Sequence, residues 1–294
     1  MAVFRRCPSA ALTAMLILAV TAPALAQGKS QQNKGKASPP GRSTLPSSIA
    51  IGRSTGTTPF AWMDDASLMT PGGVWLGLSL TRWAGTDASE VDVPVVDVAI
   101  GLTPRLQVGA SVPRIAGDGD PTGAAGGLGT TYFNAKVGVL DVDKVGFKVT
   151  VAPTLEVLSV AAQAATPDRG RVQVGFPASA ELDRGSTRLY ASTGYFSRGV
   201  WFAGAGGAWQ ATPHLGVSVS FSRAWSTSSS EDLSVELPNR NEASGGASYS
   251  LTPKIGVFGS LGHTIATDDA NGAGTTLSIG MSVTLPPGRA RITK

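Results

Sequence analysis

The sequence has 294 residues, 37 of them glycine, with only 15% charged and 6% aromatic side chains. A water-bathed surface usually has about a quarter of its residues charged, so this content is low for a soluble exterior, and a second surface that does not face water would explain it. The formal charge of +4 is a property of the N-terminal region: Arg5, Arg6, Lys29, Lys34, Lys36, Arg42 and Arg53 carry seven positive charges, and without them the chain is net −3. The folded part therefore gives no reason to expect a nucleic-acid partner.

Residues 1–26 read as a cleaved signal peptide, with Arg5 and Arg6 as the positive region, an apolar core over 10–20, and Ala24-Leu25-Ala26 before the cleavage point. That core is about half the ~20 residues of a spanning helix, which disfavours the alternative of an uncleaved anchor. Cys7 lies upstream of the core and is the only cysteine, so neither a lipid anchor nor a disulfide is expected. Residues 27–58 are rich in Ser, Gln, Lys and Pro and are expected to be disordered. Residues 59–72 form a short lead-in.

From residue 73 the texture changes to apolar residues alternating with Gly, Ser, Thr or charge, in twelve segments ended by turn residues. They fall near 73–84, 90–102, 105–115, 128–140, 145–158, 171–182, 187–196, 199–210, 215–226, 240–251, 255–266 and 274–285. In the last, Leu277, Ile279, Met281, Val283 and Leu285 alternate with Thr276, Ser278, Gly280, Ser282 and Thr284. A soluble β-sandwich or solenoid also alternates, but with strands of about five or six residues. These segments match the ~9 to 11 residues a tilted strand needs to cross a bilayer. The expectation is an all-β fold: a transmembrane antiparallel up-and-down β-barrel of about twelve strands over 73–285, with a tail at 286–294.

Turn lengths set the orientation. Links after even-numbered segments are short, among them Thr103-Pro104, Thr212-Pro213 and Thr252-Pro253, whereas most links after odd-numbered ones are long. Bacterial barrels keep short turns on the periplasmic side, so both ends of the barrel are expected there, in the bacterial outer membrane. Tryptophans and tyrosines (Trp75, Trp83, Tyr195, Trp201, Trp209, Trp225, Tyr249) sit near expected strand ends, as in interfacial girdles.

With the aliphatic rows outward, the other rows line a lumen. Ser218, Ser220 and Ser278 belong to a small hydroxylated wall; Lys136, Lys148, Glu156, Arg171, Glu181 and Arg188 belong to a charged one. Glu181 and Arg188 are expected to pair across their turn. Lys136 and Lys148 are expected near the periplasmic mouth, with an anion or a carboxylate between them. These charges fit either a stiffening salt-bridge ladder or a selective lining.

Chemistry is sparsely represented. The mature chain has two histidines, His214 in an expected turn and His263 near an outer strand end, and no serine motif accompanies either. Asp118, Asp120, Thr122 and Gly123 begin a calcium-loop pattern, but Gly129 stands where its closing glutamate belongs. The pair Asp268-Asp269 matches a carboxylate pair by composition only, and the glycine-rich 204–209 lies within a strand pattern, not before a helix. No metal, cofactor or enzymatic activity is expected.

From about Pro59 the chain resembles the outer-membrane transporters of the phenol-degradation MetA-pathway family, through PFAWMDDASLMTPGGVWLGLSL and the repeated units TPRLQVG, TPHLGVS and TPKIGVF. The resemblance implies uptake of small, often hydrophobic or aromatic compounds and contributes no catalytic residue. The tail PPGRARITK lacks the terminal aromatic common in such barrels. The expected function is a passive channel or transporter for a small-molecule solute, with outer-membrane lipid and the barrel assembly machinery as partners. The alternatives are a closed structural barrel whose basic periplasmic tail contacts envelope components and, behind it, an outer-membrane hydrolase. A selective lining predicts that Lys136→Ala with Lys148→Ala shifts reversal potentials across a reconstituted bilayer toward cations; an unchanged ion preference would contradict it.

Overall fold

The computed structural model describes residues 64–85, 89–116, 127–143, 145–160, 163, 170–197, 199–226, 239–265 and 274–287. It is an all-β, closed, antiparallel barrel. The strands are β1 (Val74–Gly85), β2 (Ser89–Thr103), β3 (Leu106–Ile115), β4 (Thr131–Val142), β5 (Phe147–Val151), β6 (Thr154–Val157), β7 (Val172–Gly175), β8 (Ala178–Arg184), β9 (Thr187–Phe196), β10 (Val200–Gln210), β11 (Leu215–Ser226), β12 (Asn239–Ser250), β13 (Ile255–Ile265) and β14 (Gly274–Leu285). Sequence neighbours pair in turn, and β1 closes the ring by pairing with β14 from Val74↔Leu285 to Gly85↔Gly274.

Fourteen pieces make twelve staves, because two staves are broken by proline. Pro153 separates β5 from β6, and Pro177 separates β7 from β8. Proline has no ladder donor, but both carbonyls still accept: Ala135 N–H donates to Pro153 at 3.0 Å and Ala152 N–H to Pro177 at 2.8 Å. The sheet thus passes both breaks without opening.

The three Thr-Pro turns share one device. Thr103 Oγ1 accepts the Arg105 amide at 3.2 Å, Thr212 Oγ1 the amides of His214 and Leu215 at 3.2 and 3.0 Å, and Thr252 Oγ1 those of Lys254 and Ile255 at the same distances. Threonine supplies an acceptor exactly where a tight turn frees backbone donors. These turns share a rim with those joining β4 to β5 and β8 to β9; it is called the short-turn rim below.

Burial is inverted relative to a soluble protein. Leu76, Leu78, Leu80, Val219, Phe221, Leu277, Ile279 and Met281 point outward and are exposed, while Ser79, Thr81, Ser218, Ser222, Ser278 and Ser282 are buried on the inward rows. An apolar band of this extent does not suit water; it suits the hydrocarbon of a bilayer. Tyr195, Trp201 and Trp225 stand side by side on the outside of β9, β10 and β11, at Trp201↔Tyr195 and Trp201↔Trp225, with the first pair's rings 5.0 Å apart. Exposed Trp209 and Tyr249 lie toward the other rim. Between Trp201 and Trp209, β10 rises roughly 20 Å along the barrel axis after allowance for strand tilt, close to the ~25 Å apolar band of such barrels.

Trp75 departs from the girdle. It turns inward, buried with Met69 and Ala99, and its ring lies over Gly77, where an added methyl would come within 2.6 Å. Tyr190 covers Gly206 in the same way, within 2.7 Å of such a methyl. Glycine at these places makes room for an inward aromatic on the same row.

Two substitutions test this arrangement in unfolding titrations in lipid vesicles. Ile279→Arg, midway along an outward row, should cost about 2–4 kcal/mol. Gly206→Leu should cost about 1–3 kcal/mol by displacing the Tyr190 ring.

Candidate functional site

The interior at the short-turn rim is occupied by the chain itself. Gly72, at φ +75°, and Gly73 turn the lead-in segment over the end of β2: Gly72 N–H donates to Gly101 O at 2.7 Å, and Gly101 N–H to Gly73 O at 3.0 Å. The carbonyls of Met69 and Thr70 press on Gly101 so closely that no side chain would fit there. From that turn, residues 64–71 run along the inside of the wall.

Side chains fix this path. Met69 N–H donates to Gln107 Oε1 at 2.8 Å, and Leu68 packs against Gly138. Ser67 Oγ donates to Glu181 at 2.8 and 2.9 Å from its two carboxylate oxygens. Asp65 Oδ2 accepts from Arg188 Nη1 at 2.9 Å, while its Oδ1 lies 3.5 Å from Lys136 Nζ. Lys136 Nζ makes its closer contact, 2.9 Å, with Asp64 Oδ2. Ser192 Oγ accepts the Asp64 amide at 3.2 Å and donates to the Asp64 carbonyl at 2.7 Å.

These contacts lie on β2, β3, β4, β8 and β9, so the charged wall is the surface on which the segment docks. Lys136, only 3% exposed, would be prohibitively costly as a buried charge without its two aspartates. Across the barrel, β12 carries its own buried pair, Arg240 Nη2 to Glu242 Oε2 at 3.1 Å.

The expected site residues fall into distinct places. Lys136 and Arg188 hold the segment. Lys148 stands opposite Glu181 in register, with Nζ 4.0 Å from Oε1. The expected cross-turn partnership of Glu181 with Arg188 is replaced: Glu181 faces Tyr190 and Arg188 faces Asp183, because the turn is the two-residue Gly185-Ser186, with Gly185 at φ +73°. Lys136 and Lys148 do not face each other either. The hairpin register from Val142↔Phe147 sets Lys148 opposite Asp141, a bulge between Gly138 and Leu140 separates that pair from Lys136, and each lysine meets carboxylates of its own.

Glu156 is buried on β6 between Tyr132 and Gln173. Arg171 precedes β7, exposed, its Nε donating to Leu158 O at 3.1 Å. Ser218 is buried, Ser220 Oγ lies 2.7 Å from Ser244 Oγ, and Ser278 Oγ lies 3.0 Å from Thr81 Oγ1. His263 points outward and meets Thr275 Oγ1 at 2.9 Å, and His214 lies in its turn beside the Tyr249 ring. Residues 118–123 and 268–269 lie outside the described residues. Among the described residues no three His, Cys, Asp or Glu side chains gather to hold a metal.

Asp64, Asp65 and Ser67 were not singled out by the sequence pattern. The available signal was charge matching: a wall with Lys136, Lys148, Arg171 and Arg188 calls for more carboxylate than Glu156 and Glu181 supply, and Asp64-Asp65 sits just before the first strand.

No protein-family model matches the sequence, and no curated protein is significantly similar to it. Among the solved structures to which the fold is similar are two porins and an outer membrane channel. With the NanC porin the identity is 10% over 71% of this chain and 100% of that one, at a TM-score of 0.54. With an outer membrane channel from Pseudomonas putida F1 it is 13% over 75% and 98%, at 0.54. With the KdgM porin in complex with disordered oligogalacturonate it is 8% over 72% and 99%, at 0.51. At these identities the likeness is one of fold; it does not bear on the resemblance to the MetA-pathway family.

The docked segment gives a direct test with a cysteine at Ala66, a buried position. Ala66→Cys should react slowly with a water-soluble maleimide. Adding Asp64→Asn and Asp65→Asn should speed labelling by roughly tenfold or more, the factor expected if local release becomes about 1.4 kcal/mol easier. Equal rates would mean that the ion pairs do not hold the segment.

Proposed function

We propose that this protein is an outer-membrane passive channel for small molecules, with its short turns and both barrel ends on the periplasmic side. The observation that carries the reading is the closed ladder with an aliphatic exterior and a polar interior, a fold similar to that of porins and an outer membrane channel. Closure satisfies every strand edge in a medium without water, and insertion would engage the barrel assembly machinery and outer-membrane lipid. Twelve staves enclose less space than a sixteen-stranded porin, and residues 64–72 narrow it further. The outward position of His263 favours a passive role over a hydrolytic one.

Small polar solutes suit the interior better than the hydrophobic compounds implied by the family resemblance. The inward rows offer hydroxyls and paired charges, while inward aromatics such as Tyr190 and Trp75 are spent covering glycines.

The docked segment also favours a second reading, a closed structural barrel. Val74 pairs with Leu285 and Gly72 packs on Pro287, so both ends of the barrel leave from one rim, from which the basic flanking stretches could reach envelope components. Planar-bilayer recording on the refolded chain separates the two readings. A channel gives discrete conductance steps that grow several-fold in the Asp64→Asn/Asp65→Asn variant; silence from both proteins would leave the structural barrel.

A further inference from the structure

We infer that Lys136 and Arg188 form a binding site for a short dicarboxylate solute, which the chain's own Asp64 and Asp65 occupy in this structure. The inference rests on the channel reading only for how such a solute reaches the lumen.

The cationic half of the site belongs entirely to the barrel. Lys136 is on β4 and Arg188 on β9, both fixed by ladder pairing, so the two cations stay in place whether or not the segment is present. They lie within the span of one carboxylate, since Asp65 reaches Arg188 Nη1 with Oδ2 and Lys136 Nζ with Oδ1. A second carboxylate, that of Asp64, takes the closer position on Lys136. Ser192 Oγ adds a hydroxyl that both donates and accepts at the same place.

The acidic half is held differently. Asp64, Ser67 and Met69 are each tied to the wall by a hydrogen bond whose wall partner is a side chain. Groups held in this way exchange for an equivalent solute without breaking the sheet. Charge fixes the solute's class. Glu181 faces Lys148 in register and also lies within electrostatic reach of Arg188, while Asp183, opposite Arg188, directs Oδ1 to the Gly185 amide at the turn. Departure of the segment removes the carboxylates that Lys136 and Arg188 hold at 2.9 Å, two places that two linked carboxylates fill and a single chloride does not. Asp64 and Asp65 act as an internal competitor, which lowers the apparent affinity for the solute by the fraction of time they occupy the site.

Succinate is a suitable probe, used with the full chain folded in detergent. Hydrogen exchange of residues 64–72 should rise in succinate and stay unchanged in sodium chloride of equal ionic strength. By calorimetry, Asp64→Asn/Asp65→Asn should bind succinate roughly tenfold more tightly than the unaltered chain, equivalent to about 1.4 kcal/mol of competition removed. Lys136→Gln/Arg188→Gln should lose that binding. Equal exchange in both salts, which would reveal simple screening, would overturn the inference, as would an unchanged succinate affinity when the aspartates are replaced. Should the lysine–arginine variant fail to fold, the aspartate variant, which keeps every wall cation, decides alone. None of these measurements requires conduction, so a silent bilayer would count against the channel reading and leave this site to stand or fall by itself.

Discussion

Every strand of this protein takes both of its hydrogen-bonding edges from other strands, and the pairing of β1 with β14 is what makes that true for the whole set. In a medium that offers no hydrogen bonds, an open edge would leave a row of donors and acceptors unpaired at several kcal/mol each. Closure removes that cost and imposes the rest. Alternation along a strand then has only two destinations, so leucines and isoleucines go out and serines, threonines and charges go in. An interior that receives charged side chains must also neutralise them, and β4 and β9 carry cations that the neighbouring staves do not fully match. The lead-in segment supplies the missing carboxylates. The ladder and the docked segment are thus two answers to one difficulty, the placing of polar groups away from water.

Small residues have a related role. Glycines at 77 and 206 make room for inward aromatic rings, which fill part of the lumen without any strand moving outward. Several hydroxyls on the inward rows, among them Ser79, Ser218 and Ser278, are withdrawn from solvent almost as far as groups in a soluble core. The lumen is therefore shaped by side-chain size more than by strand number, and the segment along the charged wall reduces it on one side only.

Strand positions were legible because period two persists over ten or more residues, and the observed strands follow the twelve expected segments to within a few positions. Residues 171–182 illustrate what was less visible: their alternation ignores Pro177, which divides the stave, because side chains keep their sides across the break. Register was harder still. Counting across a four-residue turn, Asp183 to Ser186, pairs Glu181 with Arg188, whereas Gly185 adopts a positive φ and closes the hairpin in two. One such shift changes every partner on the hairpin. The Thr-Pro repeats announced their turns, though the role of the threonine hydroxyl as an acceptor emerged only from geometry. The segment at 64–72 has no periodic signature because wall side chains and the backbone bonds at Gly101 hold it in place of a strand ladder, and nothing in local pattern distinguishes such a stretch from a linker. Trp75 looked like a girdle residue by position along the strand and is an interior residue by the side it takes.

The order of pairing also carries a temporal consequence. Apart from β1 with β14, the staves pair with neighbours in sequence, so hairpins can assemble from local contacts whose loops are cheap to close. Joining the first stave to the last spans almost the whole folded chain and is the one distant event. Asp64 and Asp65 precede β1, yet they are bound to β4 and β9, on the far side of several hairpins. The segment is therefore a passenger of the seam: it must be laid along the inner wall before the cylinder shuts, or thread in through the rim afterwards. Exchange with a solute requires passage through the rim, which makes the occupied lumen a state the finished protein enters and leaves and not a fixed product of biogenesis.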